Sequence, residues 1–215
     1  MKLKQTLQKI FPKFSIIPLL IICVLQLIVY GVTKVIAANW THYSPALLID
    51  DYIPFIAVFI IPYVLCYAHW ATNLVLSAHT GEKRFKAFST AVIISQIICG
   101  ILFLVYPTTI NRPEIGHLDG IVGFLMNFIY SSDTPVNLFP SMHCLFSWFC
   151  WIAVRNCKNV PKWYQIASFL FGIVVCMSTV AIKQHFFVDI IAGIALAEIS
   201  WFAMSKLICE QNVNK

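Results

Sequence analysis

The chain has 215 residues, 60% of them hydrophobic and only 11% charged, with a formal net charge of +6. Soluble domains carry roughly 25% charged residues. This composition therefore excludes a water-soluble globular fold and leaves no stretch polar enough for a separate soluble domain. The expected class is an all-α polytopic membrane protein, a single embedded domain over residues 1–215.

A bilayer core of about 30 Å takes about 20 apolar residues per helix, and six runs in the chain are assigned to it. The first, Ser15 to Ala38, follows the basic flank Lys2, Lys4, Lys9 and Lys13. Ala37-Ala38 could mimic a cleavage site, but the apolar run outlasts the roughly 7–15 residues of a secretory signal, so an uncleaved anchor is expected. Asn39-Trp40-Thr41 fits the glycosylation acceptor pattern, which matters only in a eukaryotic secretory pathway. The second and third runs are Ile53 to Leu76 and Ala87 to Pro107. Ile121 to Tyr130 is apolar but too short to span, and reads as an interfacial or re-entrant segment. The fourth run, Ser141 to Val154, is short unless Leu138 through Ser141 and the flanking Arg155 lie at the interfaces. Trp163 to Ile182 and Phe186 to Leu207 complete the set.

Six helices place Lys2, Lys4, Lys9, Lys13, Lys83, Arg84, Lys86, Arg155, Lys158, Lys162, Lys206 and Lys215 on one side. Only Lys34, Arg112 and Lys183 remain for the other. The positive-inside rule then puts both termini in the cytoplasm. The net charge is thereby a topology signal, with no nucleic-acid partner expected. The eight cysteines lie in apolar runs or on the basic side, none at zinc-finger spacing, and read as small hydrophobes.

Polar groups converge at the opposite face. Arg112-Pro113, Glu114, His117 and Asp119 follow the third run; Pro140-Ser141-Met142-His143 opens the fourth; Lys183-Gln184 turns into His185 and Asp189 at the start of the sixth. Ionisable groups at the edge of an apolar run cost free energy and are functional by default. His185 and Asp189, four apart, would share a helix face about 6 Å apart along the axis. The carboxylate can then fix the imidazole tautomer and leave the other nitrogen as a nucleophile. Ser141 and His143 would sit in a first helical turn, whose free N–H groups suit a phosphate. His143 could donate a proton to a leaving oxygen, and Arg112 could hold phosphate oxygens in a bidentate manner. A metal held by His143, His185 and Asp189 is the rival reading, opposed by the charges of Arg112 and Lys183. His42, His69 and His79 read as interface residues, His117 is left undecided, and Glu198 stands alone inside the sixth run.

In order and spacing, Arg112-Pro113, Pro140-Ser141-x-His143 and His185-x-x-x-Asp189 resemble the type 2 phosphatidic acid phosphatase (PAP2) superfamily. Its blocks read K-x6-R-P, P-S-x-H and S-R-x5-H-x3-D, and the resemblance covers about residues 106–192. It implies that His185 attacks phosphorus to form a phosphohistidine, Asp189 orients it and His143 protonates the leaving group. Arg112, Ser141 and backbone amides would hold the phosphoryl oxygens, with no metal or other cofactor. Two departures stand out: Val105 occupies the first-block lysine position, and Thr179, after Ser178, the third-block arginine position. Lys183 is expected to compensate, sharing the Thr179 face if the fifth helix continues.

The chain is also similar to sphingomyelin and inositol phosphorylceramide synthases, which pass a headgroup to a lipid hydroxyl. The expected activity is hydrolysis of a phosphorylated membrane lipid at the extracytoplasmic face of the plasma membrane. Phosphatidic acid, phosphatidylglycerophosphate and polyprenyl diphosphate are candidate substrates. Transfer to a lipid alcohol is the alternative, and a degenerate phospholipid-binding protein the second.

Overall fold

A computed structural model of the chain describes residues 11–210. Lys2, Lys4, Lys9 and Lys215, which entered the charge argument, lie outside the described residues, as do both termini. The protein is all-α, and no β-strand forms among the described residues. In chain order the elements are α1 (Lys13–Ile36), the short α2 (Leu48–Tyr52) and a 3-10 turn (Ala57–Phe59) leading into α3 (Ile60–Ser77). Then come α4 (Glu82–Val105), α5 (Gly120–Ser132), α6 (Met142–Val154), α7 (Lys162–Ala181) and α8 (Phe187–Ser205), which ends in a π-helical turn (Lys206–Glu210).

Among the described residues, five helices are long and apolar enough to cross a membrane: α1, α3 with its leading turn, α4, α7 and α8. The run expected as the fourth span folds into α6, only 13 residues long. At 1.5 Å per residue that is about 20 Å, against a hydrocarbon core of about 30 Å. Most of α6 is buried, because it packs against α3, α4, α7 and α8 at once. Leu145, Phe149 and Ile152 form the middle of the main core with Phe88, Val92 and Phe103 of α4. By contrast, α1 turns Ile17, Leu20, Leu27 and Val35 outward, as a lipid-facing helix does. The segment expected to be interfacial or re-entrant is α5, which packs over the start of α3 through Met126 and Ile129.

The two ends of the bundle differ. At one, Arg84 donates to the carbonyls of Ile152 and Arg155 and lies 4.8 Å over the Trp201 ring. Glu198, the unexplained carboxylate of the sixth run, belongs to this end. Arg155 engages both its oxygens at 2.6 and 2.7 Å, and Trp148 Nε1 donates to one of them at 2.7 Å. At the other end the first turns of α6 and α8 meet. Gly193 of α8 permits that meeting: a Cβ there would lie 2.7 Å from the Ser141 carbonyl oxygen and 3.2 Å from the Leu145 nitrogen.

Gly193→Ala should therefore lever α8 away from α6 and cost about 1–3 kcal/mol, the usual range for overpacking a tight contact. A thermal melt in detergent checks this, and an unchanged midpoint would mean that the contact is not tight.

Candidate active site

Ser141 begins the site as the N-cap of α6. Its Oγ accepts from the Cys144 N–H at 3.3 Å, and its own N–H donates to the Asp189 carbonyl at 3.1 Å. The hydroxyl is fully buried and committed to the cap. The amides that follow, of Met142 and His143, lie in the first helical turn, where no intrahelical acceptor exists.

His185 lies before α8 and not within it. The reason is local: α7 stops at Ala181, Lys183 takes a left-handed φ of 52°, and the N–H groups of Gln184 and His185 both donate to the Thr179 carbonyl at 2.9 and 3.1 Å. The expected pairing across one helix face is thus replaced by a capping contact. Asp189 is the third residue of α8, and its Oδ2 reaches back to accept from the Phe186 N–H at 2.9 Å. The same oxygen lies 3.3 Å from His185 Nδ1, which also faces the Leu138 carbonyl at 3.1 Å. Two acceptors at Nδ1 assign the proton of the neutral ring to that nitrogen and leave Nε2 with its lone pair. Burial disfavours the charged ring, but the hydrogen bond and charge of Asp189, with Cys144 and Asp133 behind, outweigh it and hold His185 above the ordinary histidine range.

His143 faces His185 with ring centroids 5.9 Å apart. It packs in an aromatic cage on one face of α3. Tyr63 stacks on it at 4.3 Å, and Trp70 lies 5.3 Å away. Tyr63 Oη is 3.3 Å from His143 Nδ1 and Tyr67 Oη is 3.3 Å from its Nε2. Tyr63 also donates to Asp133 Oδ2 at 3.4 Å.

The cations are less direct. Arg112 lies 4.7 Å over the Tyr130 ring, donates to the carbonyls of Tyr130 and Asp133, and donates to Gln184 Oε1, leaving its Nε without a partner. It touches neither histidine through a hydrogen bond, and Gln184 stands between. Lys183 does not share the Thr179 face, because the helix has ended. Its Nζ instead donates to the carbonyls of Ile53 at 2.6 Å and Asp50 at 3.3 Å. Arg112, Lys183, Asp50 and Asp51, among apolar residues such as Phe55 and Ile110, line a cavity of about 470 Å³ that also touches His185. Across His185 lies a second cavity of about 410 Å³, mostly apolar, walled by Leu27, Gly31 and Phe128 and floored by His143, His185 and Asp133.

Both departures from the motif now have a location. Val105, 75% exposed, points out of the bundle, so no lysine at that position would face the site without rearrangement. Thr179 is fully buried, its Oγ1 donating to the Cys176 carbonyl at 2.8 Å while its own carbonyl holds the turn before His185.

Sequence reasoning missed Tyr63, Tyr67, Trp70, Asp133, Gln184 and Asp50. The first three had a signal, since their spacing of four and three residues puts them on one helix face. Asp50 had none: its Oδ1 accepts from the Phe187 N–H at 2.8 Å across 137 positions of sequence. His69, read as an interface residue, lies inside α3 and reaches Ser168 of α7 at 3.3 Å. His117 and Asp119 are exposed. No group of three or more His, Cys, Asp or Glu is placed to hold a metal among the described residues.

The family model of the PAP2 superfamily matches residues 29–203, from the middle of α1 to the last turns of α8. The chain belongs to the PAP2 superfamily. No curated protein and no solved structure matches it. As a superfamily made up largely of phosphatases, PAP2 supports a hydrolase of phosphoric esters, here on a frame of membrane-protein composition.

Diethyl pyrocarbonate reacts with the neutral imidazole, so its pH profile reads the His185 titration. The wild-type midpoint, followed on the His185 peptide by mass spectrometry, should lie above the ordinary value of about 6.5. Asp189→Asn should move it down, since the partner that favours the charged ring is gone. Equal midpoints in the two proteins would show that the carboxylate does not govern the ring.

Proposed function

We propose that this PAP2 protein is a lipid phosphate phosphatase working through a phosphohistidine on His185. One observation carries the reading: two imidazoles face each other at the floor of an apolar cavity, and one has its Nδ1 held by a buried carboxylate. A phosphorylated lipid with its chain along Leu27 and Phe128 would bring its phosphorus between the rings. His185 Nε2 forms the P–N bond as the ester P–O bond breaks, and His143 gives its proton to the departing oxygen. Water then attacks the same phosphorus, its proton passes to His143, the P–N bond breaks and phosphate leaves.

Stabilising negative charge on the equatorial oxygens is the main demand of such a transfer. The groups suited to it are the first-turn amides at Met142 and His143; Arg112, whose buried Nε lacks a partner, and Lys183, whose ammonium holds two carbonyls and has a third donor, line the cavity on the other side of His185 and would have to turn toward the phosphate. Ser141 serves by fixing the turn. Counting α6 as a sixth span puts the basic end in the cytoplasm and the site on the extracytoplasmic side of the plasma membrane.

The test is phosphate release from a panel of phosphorylated lipids by purified protein in detergent with chelator, beside His185→Ala. Release that survives chelator and falls at least about 100-fold in the variant is expected for loss of a covalent nucleophile. Release that needs metal would sink the mechanism. Headgroup appearing on an added lipid alcohol would reassign the acceptor. Lys183→Met should lower turnover about 10-fold or more, the worth of one charge-assisted hydrogen bond in the transition state. Unchanged turnover and KM would remove Lys183 from the phosphate site.

A further inference from the structure

Asp133 is a second carboxylate at the floor of the apolar cavity, and the motif gives it no task. It caps the C-terminal end of α5, where its backbone carbonyl takes an N–H of Arg112. Its side chain turns instead to Tyr63, one of the most fully buried large side chains in the protein. The Tyr63 hydroxyl has a single proton, which goes to Asp133 Oδ2 at 3.4 Å, so its oxygen is left to accept from His143 Nδ1 at 3.3 Å. The ring beneath that hydroxyl stacks on the imidazole at 4.3 Å and fixes its plane. Burial lifts the Asp133 carboxyl to about 6, with the charge of His185 drawing it back, so near neutrality it is the anion that accepts.

We propose that Tyr63 and Asp133 are positioning residues for His143: they hold its Nδ1 protonated and fix the ring plane, so that the proton on Nε2, which rests 3.3 Å from Tyr67 Oη without substrate, is the one given to the leaving oxygen. This rests on the phosphatase reading. The site then contains two carboxylate–imidazole pairs, one direct (Asp189 with His185) and one through a phenol (Asp133 with His143). The first prepares a nucleophile and the second an acid. The proton balance is simple. Nε2 gives its proton to the ester oxygen as the P–O bond breaks, and Nδ1 keeps its proton on Tyr63. The attacking water later returns a proton to Nε2, and Asp133 stays ionised throughout.

A relay that serves the acid matters in proportion to how badly the leaving group needs a proton. The experiment compares a short-chain phosphatidic acid, whose alkoxide must be protonated, with para-nitrophenyl phosphate, whose aryl oxide departs as the anion. Asp133→Asn and Tyr63→Phe keep the shape of the site. On the alkyl ester each should lower kcat about 10- to 100-fold, part of the 10²–10⁴ that general acid catalysis supplies. KM should hold, and the loss on the aryl ester should be much smaller. Asp133→Glu should restore part of the rate. Added to His143→Gln, Asp133→Asn should cost little more, because the two act as one unit. Equal losses on both esters, a change confined to KM, or full additivity with His143→Gln would overturn the relay while leaving the phosphatase reading intact. A wild-type protein that releases phosphate from neither ester and traps none on His185 would remove the reading, and the relay with it.

Discussion

The carboxylate of Asp189 is the constraint on which this arrangement turns. It is fully buried, and one of its oxygens serves the Phe186 amide and His185 Nδ1 together, while its backbone carbonyl takes the Ser141 N–H. The start of α8, the start of α6 and the ring of His185 are thereby referred to a single residue. Burying a charge is costly unless hydrogen bonds compensate it; here Oδ2 makes those bonds and so assembles the two motif segments, while Oδ1 is buried without a partner. Gly193 completes the junction by letting the helices approach until the Ser141 carbonyl sits almost against the α8 backbone.

His185 divides two spaces of different character. The one richer in charge holds Arg112, Lys183 and two aspartates, and the more apolar one is walled by α1 and α5. Such a partition suits an amphiphile, whose charged and greasy ends must be accommodated in different surroundings within a few ångströms. The aromatic face of α3 adds rigidity where the apolar side would otherwise leave a histidine loose, since stacked rings fix a plane at little entropic cost.

Much of this was legible in the chain. The all-α class followed from composition, and the paired histidines and Asp189 followed from polar residues stranded at the edges of apolar runs. The segregation of cations foretold that Arg84 and Arg155 would share one end. Other features were hidden for physical reasons. The helical pairing of His185 and Asp189 was inferred from spacing, but a left-handed Lys183 ends α7 early and a capping carboxylate makes the contact instead. Spacing cannot tell those two geometries apart. Lys183 was expected to follow the Thr179 face, yet its ammonium is drawn to carbonyls beside α2. Asp133 and Asp50 carried no signal in the sequence, because what defines them is a partner tens of residues away.

The shortness of α6 has a consequence for the lipid around the protein. If α6 is counted as a span with Arg155 at one interface, a helix of about 20 Å would stop about 10 Å short of the far edge of a 30 Å hydrocarbon core. The histidine at its other end would then be sunk below the headgroup plane. A charged headgroup can reach that depth only where water follows it or where the bilayer dimples to meet it, and a mismatch of this kind is commonly relieved by local thinning. The longer neighbours α1 and α4 keep their full span, so the depression would be confined to the mouth beside α6. The membrane itself would then form part of the approach to the site.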